Sequence, residues 1–368
     1  MPNFDIIKTV NPEKTFRVAS VMGKFDLQSN QVQERFVGNI ELPEKWQIGL
    51  IVGKSGTGKT TIAKQLFENA YITNFEYTAE TILDDMPENK TVEEITKTFN
   101  SVGFSSPPSW LKPYEVLSNG EKMRADLARA ILSDKDFFVF DEFTSVVDRQ
   151  VAKIGSFAMQ KAIRKTEKKF IAVTCHADVE DWLIPDWVFN TNDMNFRLIE
   201  SEKKNRPNLR FALYETKEKS KYWKLFGKYH YLSHSHNNAA RVFIATINDE
   251  VCGFESVLNL PHPKVKNFKM EHRLVILPDY QGIGLGLKIS NLVGEILNKE
   301  GKRFISTTSS PALIFARKKD THWRCTNYGR GKAYGGKNGI GHYKGSVNRI
   351  TTSWEYIPEK NKENDYGL

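Results

Sequence analysis

The chain has 368 residues, 40% of them apolar and 12% aromatic, enough for globular folding and too long for one ordinary core, so two domains are expected. Its three cysteines, Cys175, Cys252 and Cys325, form no C-x-x-C pair, which argues against a disulfide framework or a thiolate zinc site and points to a reducing cytoplasm. The net charge of +9 is uneven, with −5 over residues 1–200 and +14 over residues 201–368, so the second half suits a polyanionic partner. No signal-peptide pattern opens the sequence and no apolar run approaches a membrane span, so a soluble protein with no membrane partner is expected.

Short apolar runs alternate with polar turns through residues 15–60, predicting an antiparallel sheet. It leads into Gly53-Lys54-Ser55-Gly56-Thr57-Gly58-Lys59-Thr60-Thr61, which stands between an apolar strand and a helix predicted from Thr60 to about Ala70. This is G-x-x-x-x-G-K-[ST] in a strand–loop–helix setting, a phosphate-binding loop. Its glycines let successive N–H groups turn toward phosphate oxygens. Lys59 is expected on the β- and γ-phosphates of ATP and Thr60 on Mg²⁺, at a helix N-terminus of positive potential.

A further strand is predicted near Glu80–Leu83 and a helix from Val92 to about Val102, broken by the Pro-rich stretch 105–109. Ser118-Asn119-Gly120 then caps a helix with apolar residues three and four apart. Phe137–Phe140 reads as a buried strand ending in Asp141 and Glu142. Asp141 suits a Mg²⁺ water shell, and Glu142 suits orienting or deprotonating a water aimed at the γ-phosphate. Ser145-Val146-Val147-Asp148 follows, and a second buried strand, Phe170–Cys175, ends at His176.

This order of motifs over about residues 15–200 resembles the ABC-type ATPase family. The resemblance implies that Ser118, Asn119 and Gly120 contact the γ-phosphate of ATP bound to a second subunit, in a homodimer. It also implies that Glu142 is the catalytic base, that Asp148 crosses the dimer seam and that His176 is the switch histidine. Phe25 stands at about the distance of the aromatic that stacks on adenine, with Phe36 as a competitor. The signature reads LSNGE where the family usually has LSGGQ. No glutamine lies between Gln65 and Gln150, so the Q-loop glutamine is missing, with Asp84 or Asp85 as replacements. The short span from Lys59 to Ser118 suggests a non-transport member.

The polar run 201–208 marks a domain boundary, giving an ATPase domain over 1–202 and a second domain over 203–368. Strand-like 209–214 precedes a basic helix, and Arg241–Ile247 and Val251–Val257 read as a hairpin around Asn248-Asp249-Glu250. The run from His272 to Lys288 is a strand, a glycine turn with Gln281, Gly282, Gly284 and Gly286, and an amphipathic helix. The turn exposes N–H groups suited to a pyrophosphate. Roughly residues 209–330 resemble the GNAT acyltransferase family, in which this turn grips acetyl-CoA or another acyl-CoA. The fold class implied for the whole chain is α/β, an ABC-type P-loop ATPase domain followed by a GNAT-like α+β domain with a mixed sheet.

By that resemblance a base stands on the strand before the turn, where Glu271 or His272 fits. The acid position, usually Tyr, falls on Phe315, with Tyr328 as a substitute. His230, His234 and His236 are a weaker candidate metal cluster. Arg317–Arg349 has nine Lys/Arg against only Asp320, interleaved with glycines and with Trp323, Tyr328, Tyr334 and Tyr343, a mixture suited to nucleic acid. The expected function is ATP-dependent acylation of a nucleic-acid amine. The alternatives are an ATP-driven nucleic-acid switch with an idle GNAT fold, and acetylation of a protein or small amine.

Overall fold

The computed structural model describes residues 3–10, 13, 15–26, 32–72, 75–200, 209–230, 235–260, 267–330 and 350–358. The first elements are β1 (Asn3–Val10), α1 (Phe16–Lys24), β2 (Val32–Asn39), β3 (Ile48–Val52), α2 (Lys59–Leu66) and β4 (Tyr71–Ile72). Three helices follow, α3 (Val92–Ser101), α4 (Pro107–Trp110) and α5 (Asn119–Leu132). Then come β5 (Phe137–Phe140), α6 (Arg149–Ile163), β6 (Lys169–Thr174), α7 (Val179–Leu183), β7 (Trp187–Asn190) and β8 (Asn195–Leu198). The remainder begins with β9 (Phe211–Thr216), α8 (Lys219–Phe226), β10 (Arg241–Ile247), β11 (Glu250–Asn259) and β12 (Phe268–Ile276). It ends with α9 (Leu285–Lys299), β13 (Arg303–Thr308), α10 (Pro311–Lys318), β14 (Trp323–Arg330) and β15 (Ile350–Tyr356).

These elements form two compact units, Met1–Glu76 with Ser133–Pro207, and Tyr77–Leu132 with Asn208–Leu368. The second unit therefore includes the segment carrying Ser118, which lies before the boundary expected near residue 202. Tertiary packing, which chain order does not reveal, makes that grouping.

The first unit is built on a six-stranded sheet of order β4-β5-β6-β3-β7-β8. Every pairing is parallel except β7 with β8. Strand β3 is buried at all five positions, as expected of an apolar run with parallel neighbours on both sides. Strands β1 and β2 form a separate antiparallel ribbon. Its Phe4, Ile6 and Phe36 enter the cluster with Trp46, Phe67, Trp187 and Phe189, each such burial contributing roughly 1.5–3 kcal/mol.

The second unit holds a seven-stranded sheet, β14-β15-β13-β12-β11-β10-β9. The β10–β11 hairpin turns through Asn248 and Asp249, both at positive φ, as a two-residue turn between twisted strands requires. In this sheet, among the described residues, only β12 and β13 pair in parallel, and their register covers just Phe268–Met270 against Arg303–Ile305. A parallel pair needs a crossover, and α9 supplies it. Helix α8 lays Phe226 against Val242, Ile244, Phe254 and Val275 on one face of the sheet.

The α/β class is the one observed, with a mostly parallel sheet in the first unit and a mixed sheet in the second. Two local expectations are corrected. Residues 16–24 are helical, with Thr15 accepting from Val18 N as an N-cap, where the sequence suggested a sheet. Glu80–Leu83 is a turn without strand pairing, and the extra strand is Tyr71–Ile72 beside β5. The apolar Ile82 is nonetheless buried in that turn. No described helix is long and apolar enough to cross a membrane.

Candidate functional site

Loop 53–58 leaves the carboxyl end of β3, the central strand, and runs into α2. Gly58 is the N-cap at φ +83°, and a Cβ there would lie 2.4 Å from Phe36 Cε1, so glycine is required on two counts. Gly53 and Gly56 precede it in the same loop, Ser55 is exposed and Thr61 is half-buried in the first turn of α2. Lys59 is buried and its Nζ donates to the Lys54 carbonyl at 2.8 Å. Asn192 braces the loop from outside by accepting from Lys54 N at 2.9 Å, and the Thr57 and Thr191 hydroxyls meet at 2.6 Å.

Strands β5 and β6 bring further candidates to the same end of the sheet, since β6 pairs parallel with β3 and β5 pairs parallel with β6. The Thr60 hydroxyl donates to Asp141 Oδ2 at 2.8 Å, joining the loop to the tip of β5. Tyr71 donates to the same oxygen. Burial, then that hydrogen bond, pushes the Tyr71 hydroxyl pKa up, so it stays a donor. Glu142 is exposed at φ +52°, a left-handed conformation uncommon for a non-glycine, held by Glu142 N donating to Asp141 Oδ1 at 2.8 Å. His176 follows β6, its N–H bonded to Thr174 Oγ1 at 3.2 Å. Asp148 caps α6, accepting from Gln150 N and Val151 N. Phe25 stays 65% exposed while Phe36 is only 7% exposed, so of the two competing rings only Phe25 keeps an open face.

The signature residues belong to the second unit. Ser118 stands before α5, which opens with Asn119 and Gly120. Glu121 accepts from Ser118 N at 3.0 Å and from its hydroxyl at 2.9 Å, while Glu121 N donates back to Ser118 Oγ at 3.3 Å. This is a reciprocal cap. Burial pushes the Glu121 pKa up, but hydrogen bonds from Ser109 and Ser118 outweigh it and leave the carboxyl below its usual range. Asp84 accepts from Thr81, and Asp85 accepts from Thr78 N and Ala79 N, so both brace the 78–85 turn.

In the same unit Gly282 and Gly284 have φ of +89° and +92°, and Gly284 is the N-cap of α9. Gly286 sits in the first turn of α9, facing Leu274 and Ile276 of β12. Gln281 Nε2 donates to Ile276 O at 3.0 Å. The two base candidates, adjacent on β12, face opposite sides of the sheet. Glu271 turns into the core, accepting from Arg317 and Ser290 on one oxygen and from Ser306 on the other. His272 faces the α8 side, where its Nε2 accepts from Asn237 N at 3.2 Å and His236 lies 5.4 Å away between ring centres. Burial, with Arg273 and the neighbouring histidines, lowers the His272 pKa to about 4, so the ring is neutral near pH 7.

Phe315 is 47% exposed in α10, with the Lys97 and Lys319 ammonium groups over its ring. Tyr328 is exposed on β14. His234 and most of the basic glycine-rich stretch, 331–349, lie outside the described residues. Among the described residues no three His, Cys, Asp or Glu are grouped to hold a metal. Two members of the basic stretch are core residues. Arg317 is fully buried against Glu271, and Trp323, only 6% exposed, lies under its guanidinium.

Residues 49–179 match the model of the AAA family, the ATPases associated with various cellular activities. The match supports an ATP-binding ATPase domain. A probable ATP-binding cassette sub-family F member 3 homolog of Encephalitozoon cuniculi (strain GB-M1) is 31% identical over 103 residues. The match takes in 27% of this chain and spans only 18% of that relative's length. A bacterial ABC transporter cassette solved as a dimer overlays 50% of this chain and 94% of its own, at 15% identity and a TM-score of 0.35. The ribosomal-protein-S18-alanine N-acetyltransferase of Escherichia coli overlays 43% of this chain and 100% of its own, at 15% identity and a TM-score of 0.31.

Several residues of the ATPase domain and its signature escaped the sequence reading. Tyr71 shares Asp141 with Thr60 from 70 residues away, so no motif pairs them. Thr191 and Asn192 reach the phosphate loop from the turn after β7, again without a local signal. Glu121 was legible, because Ser118-x-x-Glu121 is a capping-box pattern.

Proposed function

We propose that the chain is an ATP-driven N-acyltransferase that modifies a nucleic acid in a soluble, cytoplasmic setting. For the ATPase half the support is the hydrogen bond joining Thr60 to Asp141 beside Lys59. A hydroxyl and a carboxylate are hard oxygen donors and fit Mg²⁺, which when bound neutralises charge between the β- and γ-phosphates. Lys59 and the loop N–H groups hold the phosphates. Glu142 orients and deprotonates the attacking water, and His176 at the neighbouring strand end senses the γ-phosphate. Ser118, Asn119 and Gly120 complete a second copy's site, so two ATP molecules join a homodimer.

For the second half, the observations that carry the reading are the parallel β12–β13 pair that ends after three residues and the left-handed Gly284 cap of α9, the helix that follows β12. That arrangement supports an acyl-CoA pyrophosphate on the turn. His272 is the base: its Nε2 has to release only the 3.2 Å hydrogen bond from Asn237 N, whereas Glu271 is committed to Arg317, Ser290 and Ser306. The acceptor nitrogen attacks the thioester carbonyl and gives its proton to neutral His272. The C–S bond breaks, and that proton passes to the leaving thiolate. The basic C-terminal half favours a polyanionic acceptor.

Incubating the full chain with ATP, Mg²⁺ and acetyl-labelled acetyl-CoA, and with DNA, tRNA or a protein mixture, tests the reading. Label in DNA or RNA is expected, and label in protein alone overturns the nucleic-acid acceptor. A second reading, a nucleic-acid switch with an idle acyltransferase fold, is favoured by Phe315, which has no ionisable hydrogen at the acid position. Coenzyme binding without label transfer to any acceptor supports it.

A further inference from the structure

The segment carrying the signature touches the Gln281 turn at three points inside the second unit. Ser105 N donates to Gln281 Oε1 at 3.0 Å. Arg124 Nη2, on a side chain only 1% exposed, donates to Asp279 O at 3.4 Å. Gly103, at φ +85°, lies so close that a Cβ would stand 2.7 Å from the Gln281 carbonyl oxygen. Helix α3 also packs beside α10, where Lys97 lies 5.9 Å from the Phe315 ring centre. Arg124 belongs to α5, the helix that opens with Asn119 and Gly120.

These contacts engage the side chain and carbonyl of Gln281 and the carbonyl of Asp279, and leave the N–H groups of the turn out. They therefore fix the turn's shape without occupying the groups that suit a pyrophosphate. A buried arginine on a rigid helix and a close backbone approach also transmit displacement, because packed contacts of this kind do not deform gradually.

We propose that α3 and α5 clamp the Gln281 turn, so that a nucleotide at Ser118 and an acyl-CoA at the turn raise each other's affinity. The inference rests on the reading above, that Ser118 meets ATP and the turn meets acyl-CoA. ATP across the signature restrains α5, which holds Arg124 and the 103–105 segment, and acyl-CoA then binds a turn already ordered. Linkage makes the effect reciprocal, so acyl-CoA tightens ATP by the same factor. Gly103, Ser105 and Arg124 are positioning residues in this scheme.

Calorimetric titration of acetyl-CoA into the full-length Glu142→Gln chain, with and without ATP and Mg²⁺, reads the linkage directly. Binding tighter by about fivefold or more with ATP is expected, the lower end of ordinary coupling between sites. Adding Gly103→Ala forces Gln281 away, and should abolish the difference while each ligand still binds. Arg124→Gln should do so independently if Gly103→Ala fails to fold. Equal or weaker acetyl-CoA binding with ATP overturns the inference and leaves the coenzyme reading standing. So does an ATP effect that survives both substitutions. Absence of acetyl-CoA binding both with and without ATP overturns both.

Discussion

Thr60 and Asp141 meet through a 2.8 Å hydrogen bond although 81 residues separate them, and Tyr71 donates to the same carboxylate oxygen. In the proposed site, Mg²⁺ would compete with the Tyr71 hydrogen bond for charge on Asp141. Tyr71→Phe should lower the Mg²⁺ concentration for half-maximal phosphate release by about threefold, the effect of losing one hydrogen bond of roughly 0.7 kcal/mol. Asp141→Asn should cut Mg²⁺-dependent release by about 10²–10³-fold. If both variants follow the wild-type titration, the carboxylate has no part in the metal site.

The Glu142 side chain is exposed and its backbone N–H is held by Asp141 Oδ1, so Glu142→Gln leaves the local geometry intact. Phosphate release should fall by about 10²–10⁴-fold, the range for loss of a general base. Light scattering should find this variant dimeric with ATP and monomeric without it. A variant that stays monomeric with saturating ATP is incompatible with a site completed by a second copy's Ser118.

Opposite facing of Glu271 and His272 separates stability from chemistry. Glu271→Gln breaks a buried pair with Arg317, which is fully buried, and should cost about 3 kcal/mol in melting experiments. His272→Ala should leave melting within about 1 kcal/mol and lower kcat for acyl transfer by about 10²–10³-fold. The His272 pKa of about 4 keeps the ring in its base form, so kcat/KM should show no acidic limb between pH 5 and 8. A limb near the ordinary imidazole value would assign the base elsewhere.

Glu255 lies wholly buried on β11, and neither carboxylate oxygen has a hydrogen-bond partner among the described residues. Burial, then the nearby Glu271 charge, raises its pKa well above the ordinary carboxyl value, against the pull of Arg317. A raised folded-state pKa means the contribution is complete below the unfolded value. It is lost as pH climbs toward the folded one. The calorimetric melting temperature of the second unit should therefore fall with increasing pH above the ordinary carboxyl range, and Glu255→Gln should flatten that slope. An unchanged slope would show that Glu255 does not titrate between the folded and unfolded chain.

Local pattern alone determined the phosphate loop, the strand ending in Asp141 and Glu142, the Asn248-Asp249 hairpin and the glycine turn before α9. In each, permitted backbone angles and residue spacing act over fewer than about ten residues, so the sequence carries the whole signal. Tertiary structure decided what depends on facing and distance. A bulge at His272 breaks the regular alternation along β12, so Glu271 and His272, equal candidates in sequence, were separated only once their partners in the fold were known. Phe25 and Phe36 were likewise told apart only by burial, which Phe36 acquires against Gly58 and the ribbon. The grouping of 77–132 with the second half arises from contacts such as Ser105 with Gln281, 176 residues apart, for which no local pattern exists.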